Sequence, residues 1–319
     1  MAKAKVIIYG LGNQFKRREK YLEEMFDIIG YSDSKELRIN KYIRPSQIKE
    51  QEFENIYITS MIYFEEIKKF LVEKLGIHEE KIISEKETVW YIDNDAGKEK
   101  WLKKKLAEIP VGKALLDAGA GELRYKKYCG HLRYISQDFG EYDDSEKSEG
   151  LHPEHWNTKQ VDIVSDITSI PLQDGSMDAI LCTEVFEHIK NPVLALKEFS
   201  RILRKNGILL LTAPFCSLAH FAPYYFYNGF SKYWYEEYLS EFGFEIKEMK
   251  ANGNYFDYLR QELLRLPYMA NNYCVGYFKE GEIEDRVQSS LTILKQLSDM
   301  DRNSSEVLCF GFMVEARKS

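Results

Sequence analysis

The chain has 319 residues, of which 44% are hydrophobic and 14% aromatic, so it can form two domains with sizeable cores. Its net charge is −7 without a long basic run, which argues against a general nucleic-acid binder, because such binding requires neutralised phosphates. Five scattered cysteines without a Cys-x-x-Cys pair suit a reducing compartment. No apolar run reaches the roughly 18 residues of a membrane span, so we expect a cytoplasmic protein.

Residues 1–90 alternate predicted strands and helices, which implies a small parallel sheet. The strands are expected at 5–9, 27–33, 55–59 and 81–83, and the helices at 16–26 and 63–75. Gly10 and Gly12 follow the first strand, and Asp33 ends the second, where it could bind a ribose. Phe15 stands where a third glycine of a nucleotide-binding loop would be. Two interpretations stay open: a structural or docking domain, or a domain that binds a nucleotide or nucleotide-sugar.

A linker at 88–97 and a charged helix at 98–107 lead to the stretch that organises the rest of the chain. The apolar run 114–116 continues into Asp117 and then into Gly119 and Gly121, which predicts a buried parallel strand ending in a tight loop. Glycines let a ligand approach the backbone closely because they lack a Cβ atom. A helix expected at 123–129 would present free N–H groups to that ligand.

Further strands and helices follow in alternation. Strands are predicted at 134–138, 161–167, 177–185, 207–214 and 244–246, helices at 192–203, 231–241 and within 254–303, and a last, antiparallel strand at 307–316. Asp138, Asp166 and Glu184 lie near the carboxyl ends of three of these strands. Asp138 follows the glycine-rich turn at about the 20-residue spacing of a ribose-binding acid. Because ligands bind at the carboxyl ends of parallel strands, these acids predict a binding site.

The strand at 177–185 runs into Glu184-Val185-Phe186-Glu187-His188, and the segment 200–207 carries Asn206 where relatives have the first of two glycines. From about residue 110 onward, five such motifs in this order resemble class I S-adenosylmethionine-dependent methyltransferases. The similarity is to the methyltransferase type 11 branch, which includes ubiquinone-biosynthesis enzymes.

This resemblance implies an α/β fold with two Rossmann-like domains. Residues 1–90 would form a small domain similar to those of polysaccharide-modifying enzymes. Residues 91–319 would form the methyltransferase domain, with a helical insertion at 254–303. Its sheet would have seven mostly parallel strands with helices on both faces.

The resemblance also implies where S-adenosylmethionine binds. Its amino acid end would lie at a loop formed by Asp117, Gly119, Ala120 and Gly121. Asp138 would accept hydrogen bonds from the ribose, because two vicinal hydroxyls match the two oxygens of a carboxylate. Asp166 and the N–H of Ile167 would bind the adenine, and Thr183 and Glu184 would flank the methionine and the sulfonium.

Two histidines are candidates for the base that takes the proton of the methyl acceptor. His220, in the aromatic segment after the fifth strand, is the first choice. His188 is the second, because the ordinary pKa of histidine lies near neutrality. Tyr224, Tyr225 and Tyr227 are expected to contact or cover the acceptor, although aromatic residues also serve as core.

Two groups of residues could bind a metal ion, but neither is predicted to do so. Glu184, Glu187 and His188 would share one face of a helical turn, where they could bind a divalent cation. Packing beside the cofactor without a metal is favoured for these three residues. His152 and His155 are also assigned to a solvated loop rather than to a metal.

Together these features predict an S-adenosylmethionine-dependent methyltransferase. Its acceptor would be a small molecule, such as the hydroxyl of a sugar or nucleotide-sugar in carbohydrate biosynthesis. Two alternatives stay open: a methyltransferase that acts on RNA or protein, and a catalytically silent module that keeps the cofactor fold and binds a partner. No nucleic-acid partner and no membrane span are expected, and the insertion could cover the active site or form a homodimer contact.

Overall fold

The computed structural model describes residues 3–140, 160–276 and 282–319, and the chain folds as two compact units. One unit comprises Met1–Ile92 with Leu259–Met300, and the other comprises Asp93–Tyr258 with Asp301–Ser319. The prediction of a solvated loop around His152 and His155 lies outside the described residues.

The first unit contains a four-stranded parallel sheet. Its first elements are β1 (Lys5–Tyr9), α1 (Asn13–Met25), β2 (Asp27–Ser32), β3 (Asn55–Ile58), α2 (Phe64–Glu73) and β4 (Ile82–Ser84). The strand order is β2-β1-β3-β4. Alternate residues of β1 enter two separate hydrophobic clusters, Val6 and Ile8 on one face and Ile7 and Tyr9 on the other. The sheet is therefore covered on both faces, as parallel sheets require.

The second unit is built on a seven-stranded sheet. The remaining elements of the chain are α3 (Asn94–Glu108), β5 (Ala114–Ala118), β6 (Arg133–Asp138), β7 (Ile163–Val164), β8 (Met177–Thr183), α4 (Pro192–Ile202), β9 (Leu203–Pro214), α5 (Lys232–Glu241), β10 (Phe244–Asn252), α6 (Tyr255–Tyr273), α7 (Glu282–Asp299) and β11 (Gly311–Lys318). The strand order is β10-β11-β9-β8-β5-β6-β7, and β11 is antiparallel to both of its neighbours. The predicted α/β class and the mostly parallel seven-stranded sheet are confirmed.

Both faces of this sheet bury apolar residues under helices. Leu115 of β5 belongs to the same cluster as Trp101 and Leu102 of α3. Its neighbour Leu116 points to the opposite face, into a cluster with Leu196 of α4 and Tyr235 of α5. This alternation follows from the two-residue period of a strand.

The helices of the second unit begin at capping residues. The side chain of Asp93 accepts hydrogen bonds from the N–H groups of Asp95 and Ala96 at the start of α3. Asn191 caps α4 in the same way, ahead of Pro192. Both caps satisfy N–H groups that have no partner within the helix.

The helices predicted as an insertion into the methyltransferase domain are α6 and α7. Residues Leu259–Met300 group with the N-terminal residues rather than with the seven-stranded sheet. The physical reason is apolar burial, since Val287 and Leu291 of α7 lie in one hydrophobic cluster with Val6 and Leu22. The first unit is thus built from two separate parts of the chain.

Within the described ranges no helix is long and apolar enough to cross a bilayer. All five cysteines are free thiols. Burial raises the pKa of Cys129 and of Cys309 to about 12, so neither forms a thiolate readily near neutral pH.

We predict that Leu291→Ala destabilises the first unit by about 2–5 kcal/mol, because it leaves a cavity in that cluster. Leu291 is fully buried, whereas Ile293 on the same helix is 56% exposed. The matched variant Ile293→Ala should change stability by about 0.5 kcal/mol or less. Hydrogen exchange of β1 and β2, followed by mass spectrometry, measures the local loss. Equal exchange in the two variants would contradict the packing of α7 against the N-terminal residues.

Candidate active site

A cavity of about 1110 Å³ lies at the carboxyl ends of β5, β6 and β8. It occupies the point where the strand order reverses, since β6 and β7 lie on one side of β5 and β8 and β9 on the other. All nine residues predicted for the cofactor line it: Asp117, Gly119, Ala120, Gly121, Asp138, Asp166, Ile167, Thr183 and Glu184. His188, His220 and Tyr224 line the same cavity.

The loop after β5 adopts a backbone that favours glycine. Gly119 and Gly121 have φ angles of +74° and +50°. A Cβ atom on Gly119 would lie 2.5 Å from Cγ2 of Val185, so the position has no room for a side chain. The predicted helix at 123–129 is wrong: the chain forms turns and a short 3₁₀ helix, Lys126–Tyr128. Leu123, with φ +60°, cannot continue an α-helix.

Asp138 is held in place by the loop that it faces. Its Oδ2 accepts a hydrogen bond of 3.0 Å from the N–H of Gly121, and its Oδ1 accepts one of 3.1 Å from the N–H of Gly140. Each carboxylate oxygen can accept more than one hydrogen bond. Asp138 is therefore both fixed in orientation and able to bind hydroxyl groups of a ligand.

The wall near β7 offers further polar groups. Oδ1 of Asp166 accepts hydrogen bonds from the backbone N–H and the hydroxyl of Thr168, at 2.8 and 2.7 Å. The buried hydroxyl of Ser165 has no hydrogen-bond partner among the described residues, and Ser165 lines the cavity. Because buried polar groups are normally paired, this hydroxyl is available to a water molecule or to the polar edge of a ligand.

Asp117 is buried beneath the loop. Its Oδ2 accepts a 2.5 Å hydrogen bond from the hydroxyl of Tyr134. Burial, with a smaller contribution from the charge of Asp138, raises the pKa of Asp117 to about 7. Near neutral pH, Asp117 can therefore carry a proton.

Glu184 is turned away from the residues with which it was expected to share a helical face. Its φ of +52° interrupts any helical turn. Its Oε1 accepts a 2.7 Å hydrogen bond from the hydroxyl of Thr212, and its Oε2 lies 3.4 Å from Nζ of Lys98. The expected common face of Glu184, Glu187 and His188 is therefore not formed.

Lys98 is a residue that the sequence reasoning missed. It is 8% exposed, and its ammonium also lies 2.8 Å from Asp95. The signal was present in the sequence, because Lys98 precedes Trp101 and Leu102 at helical spacing on the buried face of α3. A cation on that face requires an anionic partner, and Glu184 is one.

Glu187, His188 and His220 form a cluster at the cavity. Oε1 of Glu187 lies 3.7 Å from Nε2 of His188 and 3.9 Å from Nε2 of His220. The two imidazole rings are nearly perpendicular, with centroids 4.7 Å apart. The N–H of Phe226 donates to the backbone carbonyl of Glu187, which ties the segment after β9 to the turn after β8.

Burial changes the acidity of two members of this cluster. It raises the pKa of Glu187 well above its usual range, and the charge of Glu184 acts in the same direction. Burial also lowers the pKa of His188 to about 4. The near-neutral pKa expected for His188 is therefore wrong, because the cavity wall desolvates its charged form.

The three tyrosines predicted to contact or cover the methyl acceptor differ in position. Tyr224 lines the cavity, with its ring 5.1 Å from that of Phe139. Tyr225 packs its ring 5.2 Å from that of His220 and donates its hydroxyl to the carbonyl of Ser217. Tyr227 is 37% exposed and donates to the carbonyl of Lys190. Of the described residues that line the cavity, only Tyr224 belongs to this predicted set.

Two family models match the chain. Residues 116–211, which contain the glycine-rich loop and most of the site, match the model described as "Methyltransferase domain". Together with the sheet order, this match defines the site-bearing part of the chain as a class I S-adenosylmethionine-dependent methyltransferase domain. Residues 2–83 match a second model, described as "C2185-like, N-terminal".

Individual relatives are distant. An uncharacterised 37.1 kDa protein in transposon TN4556 of Streptomyces fradiae is 39% identical over 51 residues, which is 16% of this chain and 15% of the relative. The chain thus matches only a small part of that protein's length.

Solved structures of similar proteins include two methyltransferases. The S-adenosylmethionine-dependent methyltransferase of Archaeoglobus fulgidus is 11% identical, with a TM-score of 0.42 over 71% of this chain and 95% of that one. That of Mesorhizobium loti is also 11% identical, with a TM-score of 0.40 over 71% and 100%. The [4+2]-cyclase SpnF is 18% identical, with a TM-score of 0.43 over 72% and 86%.

The raised pKa of Asp117 predicts a pH-dependent stability. In the unfolded chain this carboxyl ionises near pH 4, so ionisation favours unfolding as the pH rises from about 4 to about 7. The stability lost across this window should be at most about 4 kcal/mol. Asp117→Asn keeps an uncharged oxygen for Tyr134 and should flatten this part of the curve.

Urea unfolding of both proteins at several pH values measures the difference. The stability of the variant relative to the wild type should increase as the pH rises through that window. Parallel curves would contradict the assignment of a protonated Asp117.

Proposed function

We propose that this protein transfers a methyl group from S-adenosylmethionine to a hydroxyl of a small acceptor, with a sugar or nucleotide-sugar as the leading class. One observation carries the proposal: a single cavity joins the glycine-rich loop, Asp138 and Asp166 to two histidines. When bound, S-adenosylmethionine supplies an electrophilic methyl group, which forms a bond to the acceptor oxygen as its bond to sulfur breaks and the electron pair stays on sulfur.

The residues of the cavity fit this cofactor. Gly119 lines the cavity together with Thr183 and Glu184, and the methionine end would lie beside these residues. Asp138 can bind two vicinal ribose hydroxyls, and Asp166 with the Ile167 N–H can bind the adenine. Lys98 neutralises Glu184 and so keeps this end of the cavity from repelling a carboxylate.

The chain's own contribution to the reaction is to orient the acceptor and take its proton. His220 is the first candidate for proton acceptor. Its Nδ1 lies within hydrogen-bond distance of the carbonyl oxygen of Leu218, at 2.8 Å, and its Nε2 faces Glu187. His188 is the weaker base because its pKa is lowered to about 4. Tyr225 would hold the ring of His220 in place rather than bind the acceptor.

The size and walls of the cavity support a small acceptor. Its volume of about 1110 Å³ slightly exceeds the roughly 300–1000 Å³ of ordinary ligand sites, which suits a cofactor and a second molecule. Phe139, Phe221 and Tyr224 offer aromatic faces against which a sugar ring can pack.

The division into a small N-terminal domain and a methyltransferase domain is part of the proposal, and a cytoplasmic location and a homodimer stay predictions.

We predict that Gly119→Ala lowers the affinity for S-adenosylhomocysteine at least about tenfold, or about 1.4 kcal/mol, in calorimetric titration. The added methyl group would collide with Val185 and displace the loop. Gly112→Ala is the matched control, because Gly112 has a similar φ of +77° but nothing within 4 Å of a Cβ atom.

In the double variant Gly119→Ala with Val185→Ala, part of the affinity should return. If the wild type binds neither S-adenosylmethionine nor its product, the enzyme proposal is overturned. Attention would then move to a binding module that keeps only the fold.

The acceptor class is tested by incubating the full chain and S-adenosylmethionine with nucleotide-sugars, free sugars, RNA and protein extract. Mass spectrometry should find the added methyl group on a member of the sugar classes. Methylation of RNA or protein alone would establish the alternative instead.

With the accepted substrate, His220→Ala should lower kcat about 10²–10⁴-fold while the affinity for S-adenosylhomocysteine stays unchanged. His131→Ala, a histidine that contacts the carbonyl of Ile109, serves as the control. A variant at His220 with wild-type kcat would remove this residue from the reaction.

A further inference from the structure

Three atoms that carry lone pairs converge beside the cavity. Glu187, His188 and His220 each place one possible ligand atom within 4.8 Å of the others, and Oε1 of Glu187 faces Nε2 of both histidines. The sequence alone suggests Glu184 as a partner of Glu187 and His188. The structure replaces it with His220, which is 32 residues farther along the chain than His188.

The protonation of the two rings follows from their other nitrogens. Nδ1 of His188 lies 2.6 Å from the carbonyl oxygen of Tyr224, and Nδ1 of His220 lies 2.8 Å from that of Leu218. A carbonyl oxygen only accepts hydrogen bonds, so each Nδ1 carries the proton. In the neutral ring, each Nε2 then presents a lone pair to the cluster.

No hydrogen bond holds these three atoms together. The distances of 3.7 and 3.9 Å from Glu187 to the two rings exceed the range of about 2.7–3.2 Å for a hydrogen bond. The side chain of Glu187 is 1% exposed, and its Oε2 has no partner in the described part of the chain. A charged carboxylate buried against two lone pairs is unfavourable, so Glu187 either takes up a proton or shares a cation with the two rings.

We propose that Glu187, His188 and His220 bind a divalent transition-metal ion, such as Zn²⁺, with an open coordination position toward the cavity. Imidazole nitrogen with a carboxylate oxygen is a donor set suited to such ions. The proposal rests on the proposed function, because it assigns how the acceptor hydroxyl is activated.

The geometry is close to that of such a site. In a tetrahedral site with bonds of about 2.0–2.2 Å, ligand atoms lie about 3.3–3.6 Å apart. Small side-chain rotations would bring the observed 3.7 and 3.9 Å into that range. Metal-binding histidines usually donate their other N–H to a carbonyl or carboxylate, and both of these rings do so.

The ion would change the role of His220 from proton acceptor to ligand. A hydroxyl bound at the open position loses its proton more easily, because the positive charge of the metal stabilises the alkoxide. The proton passes to water, and the acceptor oxygen keeps the electron pair that forms the bond to the methyl carbon. Loss of His220 would lower the reaction rate in either role.

The test uses the full chain, stripped with a chelator and titrated with Zn²⁺ by calorimetry and with Co²⁺ by visible absorption. We expect one ion per chain and ligand-field bands of Co²⁺. His220→Ala and Glu187→Gln should each weaken binding at least about tenfold. His131→Ala and the double variant His152→Ala with His155→Ala should bind as the wild type does. Retained affinity for S-adenosylhomocysteine shows that each variant is folded.

Two results would overturn the metal site: no stoichiometric binding by the wild type, or unchanged affinity in both cluster variants. Full methyl transfer by the stripped enzyme would overturn the role of the metal and leave the proposed function intact. One bound ion without methyl transfer to any acceptor class would instead support the site and remove the proposed function.

Discussion

The site depends on how the backbone leaves β5. The chain turns there with left-handed residues at Gly119 and Gly121, and Val185 packs so close to Gly119 that a Cβ atom would not fit. The N–H of Gly121 then bonds to Asp138, so the ends of β5 and β6 fix each other. Without this turn the loop would not line the cavity, and Asp138 would lose the N–H group of Gly121 that orients it.

Much of this arrangement could be predicted from the sequence because it is local. The strand Ala114–Ala118 is a short apolar run that ends in an acid and a glycine, and the structure places it at those residues. The helix expected after it does not form, because Leu123 adopts a left-handed backbone that no helix propensity indicates. The sequence also did not predict that α7 packs against the N-terminal residues, because an apolar helical face does not show which core it joins.

The side-chain partnerships were harder to predict than the elements. Glu184, Glu187 and His188 are close in sequence, and their spacing suggested one face of a helix. The backbone turn at Glu184 separates them and sends its carboxylate to Thr212 and Lys98. The meeting of Glu187 with His220 depends on the path of the segment after β9, and no pattern within either motif encodes that path.

Both units are assembled from segments that are far apart in the chain, and this has a consequence for biosynthesis. The first unit includes Leu259–Met300, and the second is completed by β11, which lies between β9 and β10. Domains of a nascent chain usually fold one after another, beginning at the amino end. While the ribosome translates the first 258 residues, the cluster of Val6 and Leu22 lacks its α7 residues and the seven-stranded sheet lacks β11. We therefore expect these apolar surfaces to stay exposed to chaperones during that time.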